Sequence, residues 1–419
     1  MKFTLLISFI LVSSLRLVAQ TNNSPYSLLG IGDIDDSYYN RTTGMANTGI
    51  AYRSTRNLIN NNPASFSGLD NQFFAGELGV RLKYVQYYGN PISSDQNRST
   101  DITFRRFVVG TKITNHLGTS FGLLPYSSQN YAFNSPVPIQ GTNGETANVY
   151  TEGNGGLYRV YMTNSYELFK HVSLGLSTSY LFGALTQKSI LQDASLLTLT
   201  STTHSTVLSK FYLDYGIQYY GSISRRWDFS LGATFANRQN LNAQYKLLIL
   251  GRDSSTLENE TLSEGTYALP STVGIGVALT KDKKYSFLAD YKYQGWSSLN
   301  YAGFDYQLVN SNRISAGFEI SNKKNVYNYL IETSFFQAGL YYNESYLQVN
   351  GQQIKDMGAT VGFGSTSNAA RFPQFGYSFT LQYGIKGTQS NGLIQERYIN
   401  LTFMLSFRDL WYTKGRKYD

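Results

Sequence analysis

The chain contains no cysteine. That excludes a disulfide framework, a thiolate metal site and a lipid-modified N-terminal Cys. Proline is scarce, 8 residues in 419, against 38 glycines. Pro is kept out of paired strands, whereas Gly suits bends and barrel interiors. There are 3 histidines, His116, His171 and His204, and no His-Glu-x-x-His, Gly-x-Ser-x-Gly or phosphate-loop pattern. The expectation is a protein that is not an enzyme. Past the first twenty residues there is no apolar run of the roughly 20 residues that a helix needs to cross a bilayer. Mean hydropathy is −0.27. Formal net charge is +8, but the charges are dispersed without a long basic run, so no nucleic-acid partner is implied.

Met1–Ala19 reads as a secretory leader: Lys2, an apolar stretch Phe3–Leu15, and small Ala19 before Gln20. Arg16 interrupts the apolar region late, and Leu17 is large for the position it holds relative to cleavage. The alternative, an uncleaved anchor, falls short of a bilayer span. The chain is expected to be exported, and any membrane crossing then falls to strands.

What the sequence does have is a two-residue alternation. In Val172–Phe182 the even positions are Val172, Leu174, Leu176, Thr178, Tyr180 and Phe182; the odd ones are Ser173, Gly175, Ser177, Ser179 and Leu181. Successive strand side chains point to opposite faces, so this strand has one apolar and one polar side. The pattern returns in Thr272–Leu279, Tyr285–Tyr293, Arg313–Ile320, Phe375–Ile385 and Ile399–Phe407. Aromatics make up 15% of the chain, with 35 Tyr and 25 Phe, a supply that suits girdles at two membrane interfaces. A secreted β-sandwich or adhesin is the alternative for such a composition. Behind a leader, the reading is all-β: a transmembrane antiparallel β-barrel of about 14 strands, apolar outside and polar inside.

The expected strands are 73–88, 101–114, 117–131, 154–168, 171–187, 208–223, 227–245, 266–281, 284–294, 310–321, 327–340, 354–364, 374–387 and 394–410. Short links such as Asn115-His116, Lys170-His171, Arg225-Arg226, Lys281–Lys284 and Asn322–Asn325 alternate with long polar ones: Asn90–Thr100, Ala132–Gly153, Lys188–Val207, Lys246–Gly265, Gly295–Val309 and Tyr341–Gln353. Ser365–Pro373 and Gly387–Asn391 fit this alternation less cleanly. With short turns in the periplasm, odd-numbered strands run outward and the C-terminus is periplasmic, in the outer membrane of a Gram-negative cell. Residues 20–70 are strand-poor and too long for a simple linker. They are read as a hatch packed inside the lumen, between the leader at 1–19 and a barrel at 71–419.

In this register Glu77, Arg81, Lys83, Arg159, Asp214, Asp290, Lys292, Arg313, Glu319 and Glu332 point inward, because a charge facing lipid at mid-membrane would cost roughly 2–4 kcal/mol for Arg or Lys. Both signs occur. Structural pairing and hydration of a lumen account for them, with a selectivity ring or substrate path as the functional alternative. Asp33, Asp35 and Asp36 lack the glycine and later Glu of a calcium loop, so no metal and no cofactor is expected. In Asn60–Ser65, Pro63 fixes its own φ and biases Asn62 to an extended conformation, giving a rigid turn before the first strand.

Several segments resemble the FadL-type outer-membrane transporters of hydrophobic compounds. They are Gly44–Ala51 (Gly-Met-Ala-x-x-Gly-Ile-Ala), then Asn62-Pro63-Ala64, then about fourteen strands, with echoes at Gly122–Tyr126 and Leu269–Gly276. The leader ending in Ala-Gln and the Arg408–Tyr412 tail resemble Bacteroidota versions. The resemblance implies a barrel plugged by an N-terminal hatch, with Asn62, Pro63 and Ala64 as its gate motif. It also implies passive transport of a hydrophobic ligand that leaves sideways into outer-membrane lipid through a gap made by a bent strand. Two features depart from that pattern: the long links are polar, and the hatch has few large apolar residues. The rival reading is an accessory barrel with protein partners in a larger outer-membrane secretion or protein-assembly complex.

Overall fold

The structure is a computed structural model that describes residues 24–71, 73–89, 97–138, 146–192, 200–251, 253–303, 306–326, 329–367 and 373–410. The leader lies outside the described residues. Fourteen strands form one closed antiparallel barrel. They are β1 Phe73–Tyr88, β2 Arg98–Lys112, β3 Leu117–Pro138, β4 Thr146–Phe169, β5 Val172–Gln192 and β6 Ser201–Ser224, then β7 (Trp227–Ala236 continued by Gln239–Leu250) and β8 (Thr256–Leu269 continued by Thr272–Lys281). The rest are β9 Tyr285–Gln294, β10 Ser311–Val326, β11 Tyr329–Val349, β12 Gln352–Ser367, β13 Gln374–Lys386 and β14 Gln395–Leu410. Closure is made by β14 on β1, from Leu410 opposite Phe73 to Gln395 opposite Tyr88. The alternation sorts as expected along β5: Leu174, Leu176 and Tyr180 are exposed on the outer wall, while Ser173, Ser177 and Ser179 are buried.

The wall is uneven in height. Strands β4 and β6 are each 24 residues long, while β9 has 10. Roughly 9–11 residues cross a membrane, so β3 to β8 continue well past it on the long-loop side. Much of Ala132–Gly153, Lys188–Val207 and Lys246–Gly265, expected as loops, is therefore strand. In the β8 extension water meets both faces and no alternation is left: Thr256–Thr266 is exposed at every position. A second correction concerns Tyr341–Gln353. β11 and β12 join through a two-residue turn, Asn350-Gly351, both at positive φ (50° and 76°). Asn-Gly favours that mirror-image turn, which matches strand twist.

The interior also departs from a uniformly polar lumen. Toward the short turns it is lined by charged and small polar side chains. Toward the long loops it is filled by an apolar cluster that includes Leu157, Leu181, Leu208, Leu241, Leu269 and Trp296, all fully or nearly fully buried. Trp296 and Leu308 turn inward here, with Trp296 stacked on Tyr346 at a centroid distance of 4.5 Å. Once water is shut out of that half, large apolar side chains are the favourable filling.

One seam is incomplete. β2 pairs with β3 only through Phe107–Lys112 against Leu123–Gly118. Above that point β3 bends at Pro125, which has no N–H, and Tyr126 bulges out of register with β4. The freed edge of β3 takes a short strand from the N-terminal segment, Asp33 opposite Ser128 and Ile34 opposite Ser127. The Ser24 and Asp35 backbone N–H groups extend this pairing to the carbonyls of Asn130 and Tyr126.

Candidate functional site

Residues 24–71 touch lumen-facing groups from nearly every barrel strand, which places them inside the barrel. Asn62 shows how they are held. Its backbone is extended (φ −140°, ψ 123°) and it caps a one-turn 3-10 helix, Pro63–Gly68, by accepting from the Ala64 N–H. Pro suits the first position, where no N–H is needed. The Asn62 amide donates to the carbonyls of Ile50 (2.9 Å), Ile217 in β6 (3.0 Å) and Ala233 in β7 (3.3 Å). Ala64 is fully buried, and its carbonyl accepts from the hydroxyls of Ser165 and Ser173. The three residues thus tie the segment to β4, β5, β6 and β7.

Gly44–Ala51 is the second point of attachment. A 3-10 turn, Arg41–Met45, is capped by Asn40 and ends at left-handed Ala46. The Ala46 N–H donates to the Thr360 hydroxyl, which donates in turn to the Gly44 carbonyl, both at 2.9 Å. The N–H groups of Gly49 and Ile50 donate to one carboxylate oxygen of Asp290, at 2.6 and 2.9 Å.

Both motifs lie against glycines placed mid-strand in the wall. A Cβ on Gly175 would collide with the backbone of Pro63 and Ala64, and one on Gly232 with that of Ile50 and Ala51. Gly317 and Gly339 leave the same room for Met45. Gly inside a strand weakens it and marks a close backbone approach, and here the approaching backbone is the N-terminal segment. These glycines form its seat. Composition pointed to barrel interiors in general but not to these positions.

The inward charges hold the segment in place. Arg41 bonds Glu319 at 2.8 Å and Glu332 at 2.6 Å, with all three side chains largely buried. Its guanidinium also lies 3.6 Å from the Phe335 ring centre. Burial pulls the Arg41 pKa down, but Glu319 and Glu332 outweigh it and hold the group charged. Lys292 reaches Asp36 at 3.1 Å, and Arg313 reaches Asp36 at 3.9 Å and the Ala46 carbonyl at 3.1 Å. Lys386 bonds Asp33 at 2.6 Å. Burial raises the Asp33 and Asp36 carboxyls, yet Lys386 with Lys83 and Arg81, and Lys292 with Arg313, keep both below their ordinary value. Of the six lumen charges singled out in the sequence, Asp290, Lys292, Arg313 and Glu319 bind the segment, and the Arg159 guanidinium lies 4.7 Å from the centre of its Tyr38 ring. Arg159 and Asp214 face each other at 3.9 Å.

Arg105 and Arg106 escaped the sequence reading. Alternation sends one of two neighbours outward, but a bulge opposite Gly79 and Val80 turns both inward, and both are buried. Arg106 bonds Glu77 at 2.6 Å and the Leu58 carbonyl at 2.6 Å; Arg105 reaches Asp35 at 3.2 Å.

The space left over has a mixed lining. One cavity of about 110 Å³ is lined by Asp36, Asp214, Lys292 and Arg313 together with Ile50, Leu124, Tyr126 and Phe235, among others. A second, of about 120 Å³, is lined by Asp33, Arg81, Lys83, Asp356 and Lys386 among others. Cavities of this size and lining suit a few waters. Among the described residues, no group of His, Cys, Asp and Glu is arranged to hold a metal ion.

A closed fourteen-strand antiparallel barrel that holds its own N-terminal segment inside is the class these features define. The BamG family model matches residues 1–419, and the chain belongs to the BamG family. No curated protein matches it in sequence. In fold it is similar to a FadL homologue of Pseudomonas aeruginosa, with TM-score 0.62, 10% identity, and coverage of 91% of this chain and 100% of that one. It is also similar to the toluene transporters TbuX of Ralstonia pickettii (TM-score 0.54, 13% identity, 88% and 97% covered) and TodX of P. putida (0.54, 13%, 89% and 98%).

Proposed function

We propose that this protein is a sealed accessory barrel, a subunit of a larger outer-membrane complex for protein assembly or secretion. The observation that carries the reading is the filling of the lumen. One half is packed with apolar side chains, and the other is occupied by a segment fixed through buried ion pairs. The cavities that remain mix apolar side chains with charged ones. An apolar solute would gain roughly 25 cal/mol per Å² of apolar contact, but it would also strip water from Asp36, Asp214, Lys292 and Arg313, which costs free energy. Membership of the BamG family, as distinct from the toluene transporters of similar fold, supports the same reading. Short basic turns belong in the periplasm on this reading, and with them the C-terminus.

One observation favours a second reading, passive passage of a hydrophobic compound. The β2–β3 seam is open except for Asp33–Ile34, and the neighbours in fold include toluene transporters. Release of that short strand would expose a sideways exit from lumen to lipid, with the N-terminal segment as gate. Affinity purification in mild detergent, with mass spectrometry of proteins and lipids, separates the two. Stoichiometric partner proteins support the accessory barrel. A retained apolar compound without a partner supports passage. Orientation is tested by labelling single cysteines on intact cells: Ser254→Cys should react and Lys283→Cys should not.

A further inference from the structure

The uneven wall leaves one strand without a neighbour. On the long-loop side, β8 pairs with β7 through Thr256–Leu269 against Leu250–Gln239. On its other flank β9 stops at Gln294, opposite Thr272. The chain then turns inward: Trp296 is buried, and Tyr306–Leu308 pairs with Val349–Leu347 of β11. Tyr301, beside Tyr267, covers only the foot of the edge. Among the described residues, Thr256–Thr266 has no strand on this flank and is exposed throughout.

Free edges of this length are templates for another strand, and proteins blunt them with charge or bulges. This edge carries both, in an uneven way. Glu258, Glu260 and Glu264 give it one sign of charge. Its two register shifts, at Thr256/Glu258 and Thr261/Ser263, set Leu257 and Leu262 out of the ladder, 62% and 48% exposed. An edge that carries one sign of charge discriminates among partners by their charge.

A second copy of this chain is the wrong occupant. Antiparallel pairing of the edge with itself, centred on Asn259, Thr261 or Leu262, sets Glu258 opposite Glu260, Glu258 opposite Glu264, or Glu260 opposite Glu264. Like charges directly opposite are destabilising. We infer that the Thr256–Thr266 edge of β8 is a docking site for an extended segment of another polypeptide, one that alternates Lys or Arg with apolar residues. Main-chain hydrogen bonds to the edge would supply affinity, and the glutamates would supply the choice of partner. The inference rests on the accessory-barrel reading and names where a partner strand would join.

The probe is a nine-residue peptide alternating Lys and Val, titrated by fluorescence anisotropy against the full-length barrel in detergent. Heat-modifiable migration on gels confirms that each variant is folded. Wild type should bind this peptide and not its Glu-Val counterpart. The triple variant Glu258→Lys, Glu260→Lys, Glu264→Lys should weaken binding by about tenfold or more and reverse the preference. N-methylation of alternate peptide amides should abolish binding. Equal binding by wild type and triple variant, or by the N-methylated peptide, overturns the inference. The accessory reading fails separately, if purification from cells yields no partner protein; the peptide titration does not depend on that result.

Discussion

Gly175→Ala combined with Gly232→Ala should unseat the N-terminal segment and leave the barrel folded. Each added Cβ would fall well inside contact distance of backbone atoms: Pro63 and Ala64 over Gly175, Ile50 and Ala51 over Gly232. Backbone cannot swing aside as a flexible side chain does, so the clash is relieved only by moving the segment. Overpacking of this kind costs about 1–3 kcal/mol per site. The two stretches are tied together by the Asn62 amide on the Ile50 carbonyl, so their costs need not add, and the double variant should lose at least the cost of one site. At about 1.4 kcal/mol per tenfold, the unseated population rises at least about fivefold. The wall itself should tolerate the change, since Ala is accepted in strands. Gly76→Ala is the control, because its Cβ would meet only a Val109 methyl at 3.9 Å. Two measurements report the outcome: trypsin cleavage at Arg53 and Arg56, and single-channel conductance in planar bilayers. A double variant that is folded, as resistant to trypsin as the parent and no more conductive would refute the idea that these glycines seat the segment.

Arg41→Ala leaves Glu319 and Glu332 buried without their cation, so the seated state should lose about 3–5 kcal/mol. Adding Glu319→Gln and Glu332→Gln should recover part of this, read by urea-dependent trypsin protection. Leu174, 43% exposed on the outer wall, should not tolerate Arg, at about 2–4 kcal/mol if it lies near mid-membrane. Ser177→Arg should assemble, because it faces the charged cavity beside Asp214; equal yields of folded barrel for the two would mean the facing is wrong. Asp33 and Asp36 have folded pKa values below the ordinary carboxylate value of about 3.9. Their contribution is therefore fully present above that value and lost as pH falls through the folded pKa. The difference in segment protection between the parent and an Asp33→Asn, Asp36→Asn variant should therefore hold from pH 8 to about 5 and shrink only in stronger acid, read with trypsin at neutral pH and pepsin in acid; a difference already gone at pH 5 would contradict the assignment.

The spanning strands were legible because lipid outside and packed or hydrated side chains inside impose a period of two, as along Leu174, Leu176 and Tyr180. That signal stops where the membrane stops. Thr256–Thr266 has water on both faces and no alternation, so it reads as loop although it is strand. Asn350-Gly351 did carry a local signal, the favoured dipeptide of a two-residue hairpin, and the run of polar residues around it masked it. The apolar half of the lumen was hidden for a different reason. Leu181 stands on the otherwise polar face of β5, and only the inward folding of residues distant in sequence, such as Trp296, explains why it is dry. The inward charges were readable as a set, but not their partners. Asp290 gripping the N–H groups of Gly49 and Ile50 depends on a turn whose shape no periodicity reveals.

The N-terminal segment also bears on how the molecule comes to be built. It precedes every barrel strand in the chain, yet several of its partners lie at the far end. The Ser24 hydroxyl bonds Glu396 across 372 positions, Asp33 meets Lys386 across 353, and Asp70 meets Arg408 across 338. Contacts so distant along the chain are slow to form, because closure entropy precedes any reward. Until β14 reaches β1, Arg41 and the acids that neutralise it are separate charged surfaces, and the leucines of the upper lumen are exposed. A nascent chain in that state is aggregation-prone and depends on holding factors. Closing the ring is also what brings these partners to the segment, because Glu396 and Arg408 stand on β14 and Lys386 on β13.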